Sequence, residues 1–270
     1  MKVFAVRDEE LNRKILAYLI YYEKEKRFYI ELPENADSWE TPLLLSSFAE
    51  RREWTINAYW SKLWVQQRIV PMDRQNLGQI LRDNGLEEYD EFELLMLAEG
   101  RCAQDNYYLE MVSEEEIMER FSDRYEKKVE DVVPLDGKRL LVFFRNGMIK
   151  ISDIGLLVKE KPEFQPILRE DRIFSKAAVQ AGGYGICWGD NLNIEDFRLY
   201  NSGETIPLTK EVFRNFVLSG VVDTREAAEL LDCSRQNVDD LVRRGKLHPI
   251  KSDARVRLFL KSDIIERLWK

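Results

Sequence analysis

The stretch VVDTREAAELLDCSRQNVDDLVRRGKLHPIKSDARVRLFLKSDIIERLWK, residues 221–270, contains the clearest structural pattern in the chain. Asp223 or Thr224 can serve as a helix N-cap, and Asp223 with Glu226 has the spacing of a capping box. Apolar residues then follow at helical spacing, which predicts a first helix with one narrow apolar face: Ala227, Ala228, Leu230 and Leu231.

A second helix is predicted over residues 235–244, after a short turn at Asp232 and Cys233. Ser234 is its expected N-cap, and Gly245 is a favourable residue for its end because glycine adopts the left-handed conformation at low cost. Three apolar residues of this helix are expected to point inward, namely Val238, Leu241 and Val242. Two short helices joined by a tight turn are therefore predicted.

Residues 246–260 alternate charged and apolar side chains around the polar turn at residues 252–254, as expected of a β-hairpin. Ser262 and Asp263 then predict the start of a last helix. The packing side of that helix is expected to contain Ile264, Ile265, Leu268 and Trp269.

Three motifs in this stretch resemble the winged helix-turn-helix domains of the excisionase and MerR types: TREAAELLDCSRQNV at 224–238, VRRGKL at 242–247 and RLFLKSDII at 257–265. The resemblance implies that the second helix enters the major groove of DNA and that the hairpin, or wing, lies along the backbone or in the minor groove. It places DNA contacts on the second helix and in the wing, at Ser234, Arg235, Gln236, Asn237, Lys251, Arg255 and Arg257. Three basic residues at the end of the second helix are added to these contacts: Arg243, Arg244 and Lys246.

The charge distribution favours this interpretation. Residues 235–261 contain eight Lys and Arg against three Asp, a net charge of +5. Residues 201–270 have a net charge of +2, which leaves −10 for residues 1–200 out of −8 in total. Local positive charge is required for DNA binding because neutralising phosphates and releasing counterions supplies much of the affinity. Asp239 and Asp240, on the second helix, favour the alternative that this domain docks onto a protein.

Other classes of function are disfavoured by the sequence. From the charged start of the sequence we expect no signal peptide, and no apolar run reaches membrane-spanning length. Three widely separated cysteines predict a reducing cytoplasm. The only histidine is His248, so His-rich metal sites are excluded and a Ser-His-Asp hydrolase is not expected. We therefore expect no enzymatic activity, no catalytic or metal site, no cofactor and no membrane association.

Residues 1–128 predict an acidic α+β domain, with a strand at 3–6, a helix over 8–24 and a strand at 27–32. The spacing of Ile56, Trp60, Leu63 and Trp64 indicates an internal helix face, with a partner-binding stripe as the alternative. Residues 40–110 resemble segments found beside HipA-like toxin kinases of bacteria, which implies a toxin–antitoxin context.

Residues 129–207 predict a small α+β domain with a β-hairpin, in which strands 139–144 and 148–154 flank Asn146-Gly147. The order of its motifs resembles a small bacterial domain family that has no assigned chemistry. The glycines at 182, 183 and 185 favour a tight strand connection over a phosphate loop, because the strand–Gly–helix context of such loops is missing.

The sequence thus predicts a multidomain α+β chain whose third domain, residues 208–270, is a winged helix-turn-helix. The predicted function is a bacterial transcriptional regulator or antitoxin-like protein that binds double-stranded DNA. The alternative is an adaptor that docks a toxin or phage protein. The acidic N-terminal region would bind a protein partner. A homodimer is expected because one small winged helix reads few base pairs.

Overall fold

The structure is a computed structural model that describes residues 1–12, 14–189, 191–252, 257–261 and 263–264, with the backbone alone at 216 and 219. The chain forms two compact units. The first unit contains residues 1–145 and 152–203, and the second unit contains residues 146–151 and 204–270. The chain contains both helices and strands, and its strand pairs are antiparallel, which agrees with the predicted α+β class. None of the helices in these residues is long and apolar enough to cross a membrane.

The strands are β1 Lys2–Asp8, β2 Ile15–Tyr22, β3 Arg27–Glu31, β4 Thr55–Ile56, β5 Tyr107–Val112, β6 Val129–Leu135, β7 Arg139–Phe144, β8 Ile149–Asp153, β9 Ala178–Val179, β10 Gly185–Trp188, β11 Leu192–Glu195, β12 Glu204–Ile206, β13 Val221–Asp223 and β14 Leu258–Leu260. The helices are α1 Leu43–Glu50, α2 Ala58–Gln66, α3 Leu77–Asp83, α4 Glu91–Leu97, α5 Glu114–Arg120, α6 Ser122–Glu126, α7 Ile154–Leu157, α8 Gln165–Arg169, α9 Asp171–Phe174, α10 Asp196–Ser202, α11 Lys210–Gly220, α12 Thr224–Leu230 and α13 Arg235–Arg243.

A five-stranded antiparallel sheet, in the order β4-β3-β2-β1-β5, begins the first unit. Strand β2 is covered on both faces, because Leu19 and Tyr21 enter the core with α1, α2 and α4, while Tyr18 and Ile20 pack against α5. The helix predicted over residues 8–24 is therefore wrong. A strand buried on both faces is apolar at nearly every position, and such a run also satisfies helical spacing. The two predicted strands on either side are confirmed as β1 and β3.

A separate core fills the part of the first unit after residue 128. At its centre is Trp188 of β10, whose indole Nε1 donates to the carbonyl oxygen of Phe174 at 2.9 Å, while Phe164 meets the same ring edge-on. Strands β6 and β7 pair in antiparallel fashion, and β9, β10 and β11 form a small sheet. Gly147 has a φ of +81° between β7 and β8, which confirms the predicted turn.

The glycines before β10 are packing residues. Gly182 has a φ of +68°, and a Cβ atom there would lie 2.0 Å from the hydroxyl oxygen of Tyr22. Gly183 has a φ of +79°, and its Cβ atom would lie 2.3 Å from the carbonyl oxygen of Val129. Only glycine allows both the left-handed backbone and this close approach. These contacts agree with the predicted tight connection.

The second unit contains residues 149–151 of β8, which pair with β12 in antiparallel fashion. Helix α11 and the predicted winged helix follow β12 along the chain. Helix α11 leaves Val212, Val217 and Leu218 exposed. Strand β13 pairs with β14 and places Val222 opposite Phe259 in a small core. Of the predicted closing helix, Ile264 is buried in that core, and residues 265–270 lie outside the described residues.

Candidate nucleic-acid interface

Helix α12 begins with the predicted capping box. The Asp223 carboxylate accepts hydrogen bonds from the backbone N–H groups of Arg225 and Glu226, at 2.7 and 2.8 Å. The Glu226 side chain in turn accepts from the backbone N–H of Asp223 at 2.9 Å. Asp223, not Thr224, is therefore the N-cap. Because Asp223 also ends β13, the strand leads directly into the helix that this capping box begins.

The turn between α12 and α13 is a Schellman motif centred on a residue other than glycine. Asp232 has a φ of +47°, its N–H donates to the carbonyl of Glu229 at 3.2 Å, and the N–H of Cys233 donates to that of Ala228 at 2.9 Å. These two bonds satisfy carbonyl groups that the helix end leaves open. Ser234 follows at once and caps α13 by accepting from the backbone N–H of Asn237 at 3.2 Å.

Small side chains allow the two helices to pack closely. Ala227 and Val238 have no exposed area, and Ala228 is almost fully buried. Leu247, Phe259 and Ile264 complete the core, and Leu241 and Val242 pack against it. The apolar face of α13 is thus fixed inward, so its opposite face is directed to solvent.

Most of the residues predicted to contact DNA lie on α13 or directly beside its two ends. Arg235, Gln236 and Asn237 are exposed side by side in its first turn. At the other end Arg243, Arg244 and Lys246 are exposed, and the chain turns away at Gly245, which has a φ of +65°. The backbone N–H of Lys246 donates to the carbonyl of Leu241 at 2.8 Å, so α13 also ends in a Schellman motif.

Both aspartates of α13 form ion pairs. Asp240 accepts from Arg243 at 2.9 Å, one turn further along the helix. Asp239 accepts from Arg257, just before β14. The first pair joins residues three positions apart on one helix, so the sequence alone indicates that they can interact. The second joins residues that are 18 positions apart, so no spacing rule indicates it. Two of the predicted DNA contacts, Arg243 and Arg257, therefore have an acidic neighbour.

The other basic residues of this surface keep their charge available. Among the residues described, Arg235, Arg244, Lys246 and Lys251 form no ion pair. All four are exposed. The surface formed by α13 and the base of the wing is therefore positive although α13 contains two aspartates.

The base of the wing is held by backbone hydrogen bonds. The N–H of Leu258 donates to the carbonyl of Lys251 at 3.0 Å, and the N–H of Ile250 donates to the carbonyl of Leu258 at 2.8 Å. Lys251 and His248 are exposed beside this bridge. Arg255, predicted in the wing, lies outside the described residues. A β-ribbon of this kind is the expected position for phosphate contacts beside a recognition helix.

Comparison with known proteins agrees with this geometry. A family model described as a helix-turn-helix domain matches residues 221–270. No curated protein and no solved structure matches the chain. The chain therefore carries a helix-turn-helix domain in these fifty residues. Within the described part of the chain, no three His, Cys, Asp or Glu side chains are grouped so that they could hold a metal ion.

Proposed function

We propose that the chain is a transcriptional regulator, or an antitoxin-like protein, that binds double-stranded DNA through its winged helix in the bacterial cytoplasm. The observation that carries this proposal is the exposed first turn of α13, where Arg235, Gln236 and Asn237 lie together on a helix fixed from behind by Val238. In helix-turn-helix proteins the N-terminal residues of the second helix contact the base edges in the major groove.

The side chains of that turn suit base recognition. Arg235 can donate two hydrogen bonds to O6 and N7 of a guanine, and Gln236 can bond both N6 and N7 of an adenine. Ser234 and Asn237 are short enough to contact phosphate or sugar. We assign the phosphate contacts to Arg244, Lys246 and Lys251, since their charges are not matched by described acidic groups. Arg243 and Arg257 would stabilise the complex less, since each already neutralises an aspartate.

A dimer is the form that we propose to bind DNA. One helix of nine residues, Arg235–Arg243, reads only a few base pairs, and paired half-sites supply the missing specificity. Helix α11 supports this proposal, because Val212, Val217 and Leu218 expose apolar side chains on an eleven-residue helix. The selected DNA site should then be an inverted or direct repeat whose halves lie about 10 base pairs apart, or a multiple of that spacing.

The test is selection of bound sequences from a random double-stranded library by the full chain, followed by affinity measurement on the selected site. Arg235→Ala and Gln236→Ala should each weaken binding by about 1–3 kcal/mol and relax the preference at one base pair. Lys251→Ala should weaken binding to every sequence equally. Thr224→Ala, on the first helix, is the control and should leave the preferred sequence unchanged.

The alternative function, docking of a protein partner, predicts a different result. No sequence would be enriched, and Arg235→Ala would leave DNA binding at its weak non-specific level. A partner retained by the full chain and released by Arg235→Ala would then identify α13 as a protein-docking surface.

A further inference from the structure

A cavity of about 510 Å³ opens within the first unit. Its wall is formed by the end of α1 and the turn after it, by α2, by α6 and by α10. Small-molecule sites usually have volumes of about 300–1,000 Å³. The cavity therefore has the size of a site for a metabolite or cofactor.

The wall of the cavity is basic although the unit around it is acidic. Seven lining residues are Lys or Arg and four are Asp or Glu, whereas residues 1–200 have a net charge of −10. Clefts lined by one sign of charge concentrate ligands of the opposite sign. An anionic ligand is therefore the class that this wall favours.

The charged side chains at the floor of the cavity neutralise one another. Lys128 lies 2.9 Å from Asp196 and 3.3 Å from Glu31, and Arg124 lies 2.7 Å from Glu31. Lys128 also lies over the ring of Tyr184, with its Nζ 3.7 Å from the ring centroid. These buried charges balance one another and give the floor a fixed shape, so the ligand charge must be met elsewhere.

The rim of the cavity supplies two cations that have no acidic partner among the described residues, Arg52 and Lys161. Their neighbours differ, because Arg51 pairs with Glu53 at 3.2 Å and Lys127 pairs with Asp123 at 2.6 Å. A phosphate monoester carries a charge of about −1.5 to −2 at neutral pH. Two unmatched cations suit that charge better than they suit a single carboxylate.

An aromatic wall faces the same cavity. Trp60 is 36% exposed and is held edge-on against Phe48, with ring centroids 5.8 Å apart. Trp54 is half-buried beside it in the lining. Flat ligand rings stack on such side chains, and one base stacked on an aromatic residue contributes about 1–3 kcal/mol in nucleic-acid complexes.

The wall also contains buried polar atoms that form no hydrogen bond with any described residue. Buried polar atoms are usually hydrogen-bonded. Nε of Arg124 and Oε2 of Glu195 are buried and have no hydrogen-bond partner among the described residues. The other carboxylate oxygen of Glu195 accepts from the side-chain amide of Asn57 at 3.4 Å. Arg198 lies 3.9 Å from this carboxylate and Glu34 lies 4.0 Å from Nε of Arg124, so the charge of the guanidinium is already matched. A donor on a sugar or base would complete the hydrogen bonding of the Glu195 carboxylate.

We propose that this cavity binds a nucleoside phosphate, with its base against Trp60 and its phosphate at Arg52 and Lys161. The site goes beyond DNA binding and stands independently of it, because every residue that defines it belongs to the first unit. The proposal combines a cavity of suitable volume, an aromatic surface and two unmatched cations.

The experiment is isothermal titration calorimetry of the full chain with AMP, UMP, adenosine and inorganic phosphate. At least one of the two nucleotides should bind with one site per chain. Adenosine and inorganic phosphate should each bind at least tenfold more weakly, since each lacks one half of the recognition. Inorganic phosphate that binds as tightly as the nucleotides, or no binding of AMP and UMP at millimolar concentration, would overturn the proposal.

Two variants test whether the nucleotide binds in this cavity. Arg52 has a φ of +58°, so Arg52→Gly removes a charge and relieves backbone strain at once, and the fold should persist. Arg52→Gly and Lys161→Gln should each weaken nucleotide binding about tenfold, the loss expected for one charge-assisted hydrogen bond. Lys26→Gly is the matched control, because Lys26 is an exposed cation with a φ of +49° outside the cavity, and binding should not change.

Nucleotide binding that both variants leave intact would place the site elsewhere, for example on α13, and would refute the assignment. DNA affinity is measured on the same proteins. If the chain binds DNA but no nucleotide, only the nucleotide site is rejected. If it binds nucleotide but no DNA, only the proposed DNA-binding function is rejected.

Discussion

Arg257 donates a hydrogen bond to the carboxylate of Asp239, and so joins the base of the wing to the second helix of the helix-turn-helix. The two side chains are 38% and 47% exposed, and an exposed pair of this kind stabilises a fold by about 0–1 kcal/mol. Its larger effect is on the charge of the surface. Asp239 neutralises one wing arginine, and Asp240 neutralises Arg243. The aspartates therefore reduce the positive potential without reversing it.

Replacing Asp239 by Asn should increase DNA affinity. The change removes one negative charge and leaves the charge of Arg257 unmatched, so more counterion is released on binding. We expect tighter binding at low salt and a steeper loss of affinity with salt, by up to about 0.9 in the log–log slope. Fluorescence anisotropy with the selected site measures both. Glu87→Gln, an equal change on the exposed surface of the first unit, should have no such effect.

Weaker binding by Asp239→Asn at every salt concentration would contradict this interpretation. It would indicate that Asp239 accepts a hydrogen bond from a cytosine amino group, and then it would be a base-reading residue.

The two Schellman turns predict opposite effects of glycine and alanine. Asp232→Gly should stabilise the winged helix by about 0.5–1 kcal/mol, because glycine adopts a φ near +47° more readily than aspartate. Gly245→Ala, at a φ of +65°, should destabilise it by about 1 kcal/mol. Amide hydrogen exchange of α12 and α13 in the full chain reports both changes. Faster exchange in Asp232→Gly would show that its side chain contributes more than its strained backbone costs.

Two glycines with nearly the same backbone conformation should respond differently to replacement by alanine, because only one of them is closely packed. Gly182 and Gly85 have φ values of +68° and +70°, but an added Cβ atom strikes Tyr22 at Gly182 and meets nothing within 4 Å at Gly85. Gly182→Ala should destabilise the first unit by about 2–4 kcal/mol, and Gly85→Ala by about 1 kcal/mol. Thermal unfolding measures the difference. Equal losses would refute the packing role of Gly182.

The buried carboxylate at the cavity floor predicts a pH dependence. Burial raises the pKa of the Asp196 carboxyl above its ordinary value of 3.8, although Lys128 at 2.9 Å acts to lower it. Just above pH 3.8 the folded state therefore holds a proton that the unfolded chain releases. Because the folded state binds more protons there, the free energy of unfolding should fall as pH rises through that range.

Asp196→Asn removes this titration and keeps a neutral side chain of the same shape. The stability lost in this variant should therefore be smaller at neutral pH than at acid pH. Urea unfolding from about pH 3.5 to 7 at constant ionic strength measures both proteins. If the two stability curves run parallel, Asp196 has no raised pKa in the folded protein.

The winged helix could be predicted from sequence because its signals are local. The capping box at Asp223, the cap at Ser234 and the stop at Gly245 each depend on residues within one helical turn. The turn at Asp232 and Cys233 was predicted too, but its left-handed backbone was not, since a φ of +47° is unusual for a residue other than glycine. Most of the predicted DNA contacts lie on one helix or directly beside its ends for the same reason, because helical spacing decides which side chains face outward.

The N-terminal region was predicted less well because its pattern is set by tertiary packing. Strand β2 is apolar throughout because helices cover both faces of its sheet, and no local rule separates such a strand from a buried helix. Trp64 is in the core as expected, but Trp60 of the same helix reaches the cavity. The cavity itself combines residues from positions 48 to 201, and their proximity follows from the fold alone.

The central claim is that α13 and the wing bind DNA, and the salt dependence of that binding tests it most directly. Affinity for the selected site should fall steeply with salt. In a variant with Arg244, Lys246 and Lys251 changed to Gln, the log–log slope should be shallower by about 2.7, since each phosphate contact contributes about 0.9. Changing the exposed Arg82, Lys159 and Lys176 to Gln is the matched control and should leave the slope unchanged. A slope that is the same in wild type and both variants, or no DNA binding by the intact chain, would contradict the account.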